Sequence, residues 1–102
     1  MGIDLGWENE TGGLLGGVDD MHNLTSYLIA HANKEDSRCL RFIDPYGDTV
    51  FNQLQIPVLE DEIRPLAANQ LSPEAEIHRK EILACIDLAR DKVHTYLKFR
   101  GD

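Results

Sequence analysis

Residues 72–100 read SPEAEIHRKEILACIDLARDKVHTYLKFR, and the hydrophobic period changes within them. Ser72-Pro73-Glu74 is a helix start. A hydroxyl can accept from free backbone N–H groups, proline sits where a missing N–H costs nothing, and an acid follows at the positive end of the helix dipole. Ile82, Cys85, Ile86, Ala89 and Val93 then recur at helical spacing, which predicts one apolar stripe. From Tyr96 the period drops to two. Leu97 and Phe99 fall on one face, and Tyr96, Lys98 and Arg100 on the other, which predicts a closing strand. A strand with alternate charged residues leaves one sheet face wet, so the expectation is antiparallel pairing with helices on the apolar side.

The rest of the chain fits that expectation. Ile3, Leu5 and Trp7 alternate with Asp4, Gly6 and Glu8, a first strand. Thr11–Val18, TGGLLGGV, reads as a flexible loop. Asp19 or Asp20 can cap a helix whose stripe is Met21, Leu24, Leu28 and Ala32, with Tyr27 beside it and a stop near Asn33. Leu40 to Ile43 reads as a second strand. Asp44-Pro45-Tyr46-Gly47 fits a type I turn, and Thr49–Phe51 a short returning strand. Pro57 suits the first turn of a helix holding Ile56, Leu59, Ile63, Leu66 and Ala67, which Pro65 kinks or ends. The predicted fold is therefore α+β: a mainly antiparallel sheet of three to four strands, two to three helices packed on one face, and a single domain over 1–102. The wet face should show Asp4 and Glu8, with Arg41, Lys98 and Arg100 opposite. Trp7, Phe42 and Phe99 are assigned to the core.

The 102 residues carry a formal charge of -8, and the excess is uneven. Residues 1–36 hold seven acids and one base, whereas residues 72–102 hold six of each. Nucleic acid and anionic lipid both need Lys and Arg, so neither is an expected partner. An acidic face instead attracts a basic protein and speeds its encounter. No apolar run is long enough for a membrane span, and the N-terminal residues lack the basic start and apolar block of a signal peptide. The expected location is the cytoplasm, with Cys39 and Cys85 as reduced core thiols.

Specific chemistries find little support. The glycine segment lacks both the Gly-Lys-Ser/Thr ending and the GxGxxG spacing of phosphate loops, and Asp19 and Asp20 would repel a phosphate. His22, His31, His78 and His94 show no metal-ligand spacing, so no metal and no cofactor is expected. Cys85 lies on an apolar stripe, where burial suppresses reactivity. A Cys39–His94 pair requires the second and last predicted strands to be neighbours.

Two segments, Arg41–Asn52 (RFIDPYGDTVFN) and Tyr96–Asp102 (YLKFRGD), resemble stretches of small bacterial proteins of no known activity. The resemblance implies a bacterial cytosolic origin and assigns no activity, cofactor or catalytic residue. A small acidic α+β chain also has the format of toxin-neutralising immunity proteins. The leading expectation is a non-enzymatic interaction domain for a basic protein, with Asp19, Asp20, Asp44, Tyr46, Asp48 and Tyr96 as contact residues. The alternatives are a small-ligand or enzymatic protein with a pocket between sheet and helices, and a homodimeric structural subunit paired through an exposed sheet edge.

Overall fold

The computed structural model describes residues 2–31, 37–66 and 70–101. Strand β1 spans Asp4–Asn9, β2 Leu14–Val18, β3 Asp48–Phe51 and β4 Thr95–Arg100. Helix α1 spans Leu24–His31, α2 Ile56–Ile63 and α3 Pro73–Arg90. The strands form one antiparallel sheet in the order β2-β1-β4-β3. The α+β architecture is as the sequence predicts.

Register explains the alternation. Leu5 lies between Val18 and Phe99, and Trp7 between Gly16 and Leu97. Phe51 pairs with Leu97 at the far side. These side chains point to one face, where they join Leu28 and Ile29 of α1, Ile56, Leu59 and Ile63 of α2, and Ala75, Ile82, Cys85, Ile86 and Ala89 of α3 in one core cluster. Helix α3 touches β1, β2 and β4 and also both other helices, so it is the central helix of the layer. The opposite face presents Asp4 beside Arg100, Glu8 beside Tyr96, and Lys98 within 3.4 Å of Asp48. Such exposed pairs fix register more than they stabilise.

The helix ends follow local chemistry. Ser72 Oγ accepts from Ala75 N at 3.2 Å, which caps α3. Helix α2 stops at Ile63, two residues before Pro65. The Asp44–Gly47 turn also forms: Asp44 Oδ1 accepts from Tyr46 N at 2.8 Å, and Gly47 N donates to Asp44 O. Its neighbour in space is Gly101, where a Cβ would collide with the Pro45 backbone.

Several expectations are corrected. The glycine segment is strand β2 rather than a flexible loop. Its hairpin turns at residues 10–13, where Asn9 Oδ1 accepts from Thr11 N, Thr11 Oγ1 and Gly13 N. Gly16 lies so close to Trp7 that a Cβ would stand 3.2 Å from the indole. Residues 40–43 do not form a strand. Leu40–Phe42 is a single 3-10 turn, because the Glu62 carboxylate reaches from α2 to Arg38 N, Cys39 N and Leu40 N. Phe42 is consequently exposed rather than core, and Arg41 stacks over its ring instead of facing β1. Met21 precedes α1 and is exposed, and Val93 lies past the end of α3 and is exposed. The expected positions of Ala32, Asn33 and Ala67 lie outside the described residues.

Candidate functional site

A cleft of about 330 Å³ opens between the β2–α1 connection and the first half of α3. Asp19, Met21, His22 and Leu24 line one wall, and Glu74, Ile77, His78 and Glu81 the other. The spacing on α3 explains its share: positions 74, 77, 78 and 81 lie on one helical face. Three carboxylates and no Lys or Arg line the cleft, while Met21 and Ile77 give it exposed apolar surface. Acids above apolar walls suit the aliphatic stem and cationic head of a lysine or arginine side chain. Among the described residues, no three His, Cys, Asp or Glu groups converge closely enough to hold a metal ion.

A buried polar chain holds the two walls together. Asp20 is buried, and its carboxylate accepts from Ile3 N, Leu24 N and Thr25 N at 3.0, 2.7 and 3.1 Å. It thus caps α1 and ties it to the start of the chain. Burial alone would push the Asp20 carboxyl up, but the three backbone N–H groups and nearby His78 hold it below its ordinary value. The Asp20 N–H in turn donates to Asp4 Oδ1 at 2.7 Å. Thr25 donates its hydroxyl proton to Ile3 O at 3.0 Å, so His78 Nε2, 2.8 Å away, must be the donor to Thr25 Oγ1. Burial pushes the His78 imidazole down, against the upward pull of Asp20, Glu81 and Asp4. His78 is therefore a buried hydrogen-bond donor at the base of the cleft whose charged form is disfavoured by burial.

The six contact residues expected from sequence separate. Asp19 is exposed and lines the cleft. Asp20 is removed from the surface by its role as a cap, since the amides that need it lie inside. Asp44, Tyr46 and Asp48 are exposed around the turn leading into β3, at the opposite sheet edge from β2. Tyr96 is half-buried on the open sheet face beside Glu8. One continuous surface joining the acidic N-terminal third to the turn is thus not formed. Glu74, Ile77 and Glu81 were missed, because an acid on an amphipathic helix reads as ordinary solvated surface until the neighbouring wall is known.

Neither cysteine is placed as an activated nucleophile among the described residues. Burial pushes the Cys85 thiol up to about 11, and burial with the nearby Glu62 charge raises Cys39. His94 pairs with Glu10 at 2.8 Å, and Cys39 Sγ faces Gln55 O, so no Cys39–His94 pair forms. The space enclosed by Thr25, Leu28, Ile43, Ile82 and Phe99, between sheet and helices, is only about 10 Å³. That is about one water's worth of room. No helix among the described residues is long and apolar enough to cross a membrane. The chain matches no protein-family model, no curated protein and no solved structure at a significant level.

Proposed function

We propose that the protein is a non-enzymatic interaction domain that docks a basic protein segment in the cleft between the β2–α1 connection and α3. The observation that supports this reading most is the lining: Asp19, Glu74 and Glu81 surround apolar Met21, Leu24 and Ile77, with no Lys or Arg among the lining residues. The net charge of -8 steers a cationic partner toward the molecule, and the cleft gives it a place to settle. An inhibitor that neutralises a basic toxin in the bacterial cytosol is one concrete form of this function.

The test is titration with a lysine-rich, unstructured oligopeptide at low and high salt. Binding should weaken by roughly tenfold or more as salt screens the exposed charges. The triple variant Asp19→Asn/Glu74→Gln/Glu81→Gln should lose binding, while the double variant Asp44→Asn/Asp48→Asn should retain it. Equal loss in both variants would reduce the interaction to net charge and remove the cleft from the account.

A further inference from the structure

The two edges of the sheet are treated differently. At the β3 edge, Thr49 Oγ1 accepts from Asp44 N at 2.9 Å and faces Phe42 O, so the preceding segment lies against that strand. Asp48 adds a charge there. The β2 edge has neither device. Its sequence is Leu14-Leu15-Gly16-Gly17-Val18, without charge or proline, and among the described residues no second strand pairs with its outer side. Natural sheets usually guard such an edge. One irregularity is present: the register with β1 shifts between Trp7 and Glu8, which leaves Leu15 as the extra residue.

Beside this edge runs a second depression, of about 360 Å³, between β2 and α3. Leu15, Gly16, Gly17 and Val18 form its strand side, and Ala84, Cys85 and Leu88 its helix side. Trp7 also lines it, and the buried, protonated thiol of Cys85 leaves that wall apolar. Glu81 lines both this groove and the acidic cleft, so the two adjoin at that residue on α3. The Lys92 ammonium stands 5.9 Å from the Trp7 ring, which gives Trp7 a basic neighbour.

We propose that the partner segment binds as an added strand. It hydrogen-bonds to the free edge of β2, sends alternate apolar side chains into the groove against Ala84 and Leu88, and places a lysine or arginine over Glu81. This inference rests on the proposed docking of a basic segment and adds its conformation and register. Main-chain pairing would supply affinity, and the alternate pockets specificity. Charge decides between occupants. A second copy of this chain would bring another -8 and the same acids to Glu81, whereas a basic segment meets opposite charge.

Trp7 is the sole tryptophan, so its emission reports on this groove. The experiment titrates the full chain with a capped peptide about six residues long, with lysine at its first position, valine at its third and fifth, and threonine or lysine between them, so that one lysine and both valines fall on the groove side of a strand. Trp7 emission and amide hydrogen exchange of Leu14–Val18 are followed together. Strand addition predicts a saturable emission change and slower exchange of β2 amides. It also predicts at least tenfold weaker binding to Ala84→Gln, which fills the groove on an exposed helix position without altering charge. The same variant should bind the unstructured lysine-rich peptide as before, which keeps the two readings separable. A proline-substituted peptide of equal charge should not protect β2. Unchanged β2 exchange at saturation, or equal binding of the proline peptide, overturns strand addition while leaving charge-driven docking in place. Absence of binding by either basic peptide overturns both. A concentration-dependent dimer that already protects β2 without peptide overturns the proposed occupant in favour of a second copy.

Discussion

The hydroxyl of Thr25 bridges Ile3 O and His78 Nε2, at 3.0 and 2.8 Å, and so joins the N-terminal residues, α1 and α3 through one proton-ordered chain. The chain fixes Nε2 as a donor and buries the ring, which has a consequence for stability against pH. His78 titrates below its ordinary 6.5 when folded. Between the folded and unfolded values the unfolded chain binds the extra proton, so stability is complete above about 6.5 and falls as the pH drops through the folded value. Asp20 acts in the same direction at lower pH, since its folded carboxyl lies below the ordinary 3.8. Urea midpoints measured from pH 7.5 to 3 should therefore decline first below about 6.5. His78→Gln should remove that first decline and leave the later one.

Replacing the Asp20 carboxylate tests its role as a cap. Asp20→Ala leaves the amides of Ile3, Leu24 and Thr25 without their acceptor in a buried setting. The expected cost is about 3 kcal/mol, since each unsatisfied buried group costs about 1–3 kcal/mol and some can recruit water. Thermal unfolding should shift down by more than ten degrees. Asp19→Ala, at the exposed neighbour, should shift it by no more than a degree or two. Similar small shifts in both would place Asp20 in solvent.

Glu62 makes a similar prediction for residues 38–40. Its carboxylate accepts from Arg38 N at 2.6 Å, Cys39 N at 3.2 Å and Leu40 N at 2.9 Å. Glu62→Ala should cost about 2 kcal/mol, as charged hydrogen bonds contribute about 1.5–3 kcal/mol each and these are partly exposed. Amide exchange at Cys39 and Leu40 should quicken in that variant, while the β1–β4 ladder stays protected. Unaltered exchange at these two amides would contradict the contact.

The two cysteines should resist alkylation in the folded protein. Cys85 ionises only near 11 and both thiols are buried. Iodoacetamide labelling near pH 8 should be slow in the native chain and rapid in denaturant, with both sites reacting in proportion to unfolding. Fast native labelling of either thiol would reopen a nucleophilic reading.

Much of this fold was legible because the relevant signals are local. The period change around Thr95, the Ser72-Pro73 start and the Asp44–Gly47 turn each require only neighbours in sequence. The errors share one physical cause. Glycine shows no hydrophobic period, so β2 was hidden: its place is set by β1, where a Cβ on Gly17 would approach Leu5 O to 2.5 Å. Leu40–Phe42 has strand-like alternation, but a carboxylate from α2 binds its backbone into a 3-10 turn. Asp20 was readable as a cap but not as buried, because its third amide comes from Ile3, seventeen positions away. The cleft needed the packing of α3 beside residues 19–24, which no local pattern encodes.

The most direct test of the central claim is where a basic peptide perturbs backbone amide resonances of the isotope-labelled chain at low salt. The account predicts saturable shifts at Asp19, Met21, Leu24, Ile77 and Glu81, which vanish at high salt, with Asp44–Asp48 unmoved. Shifts centred on the Asp44–Asp48 turn, or spread evenly over all exposed acids, would contradict it.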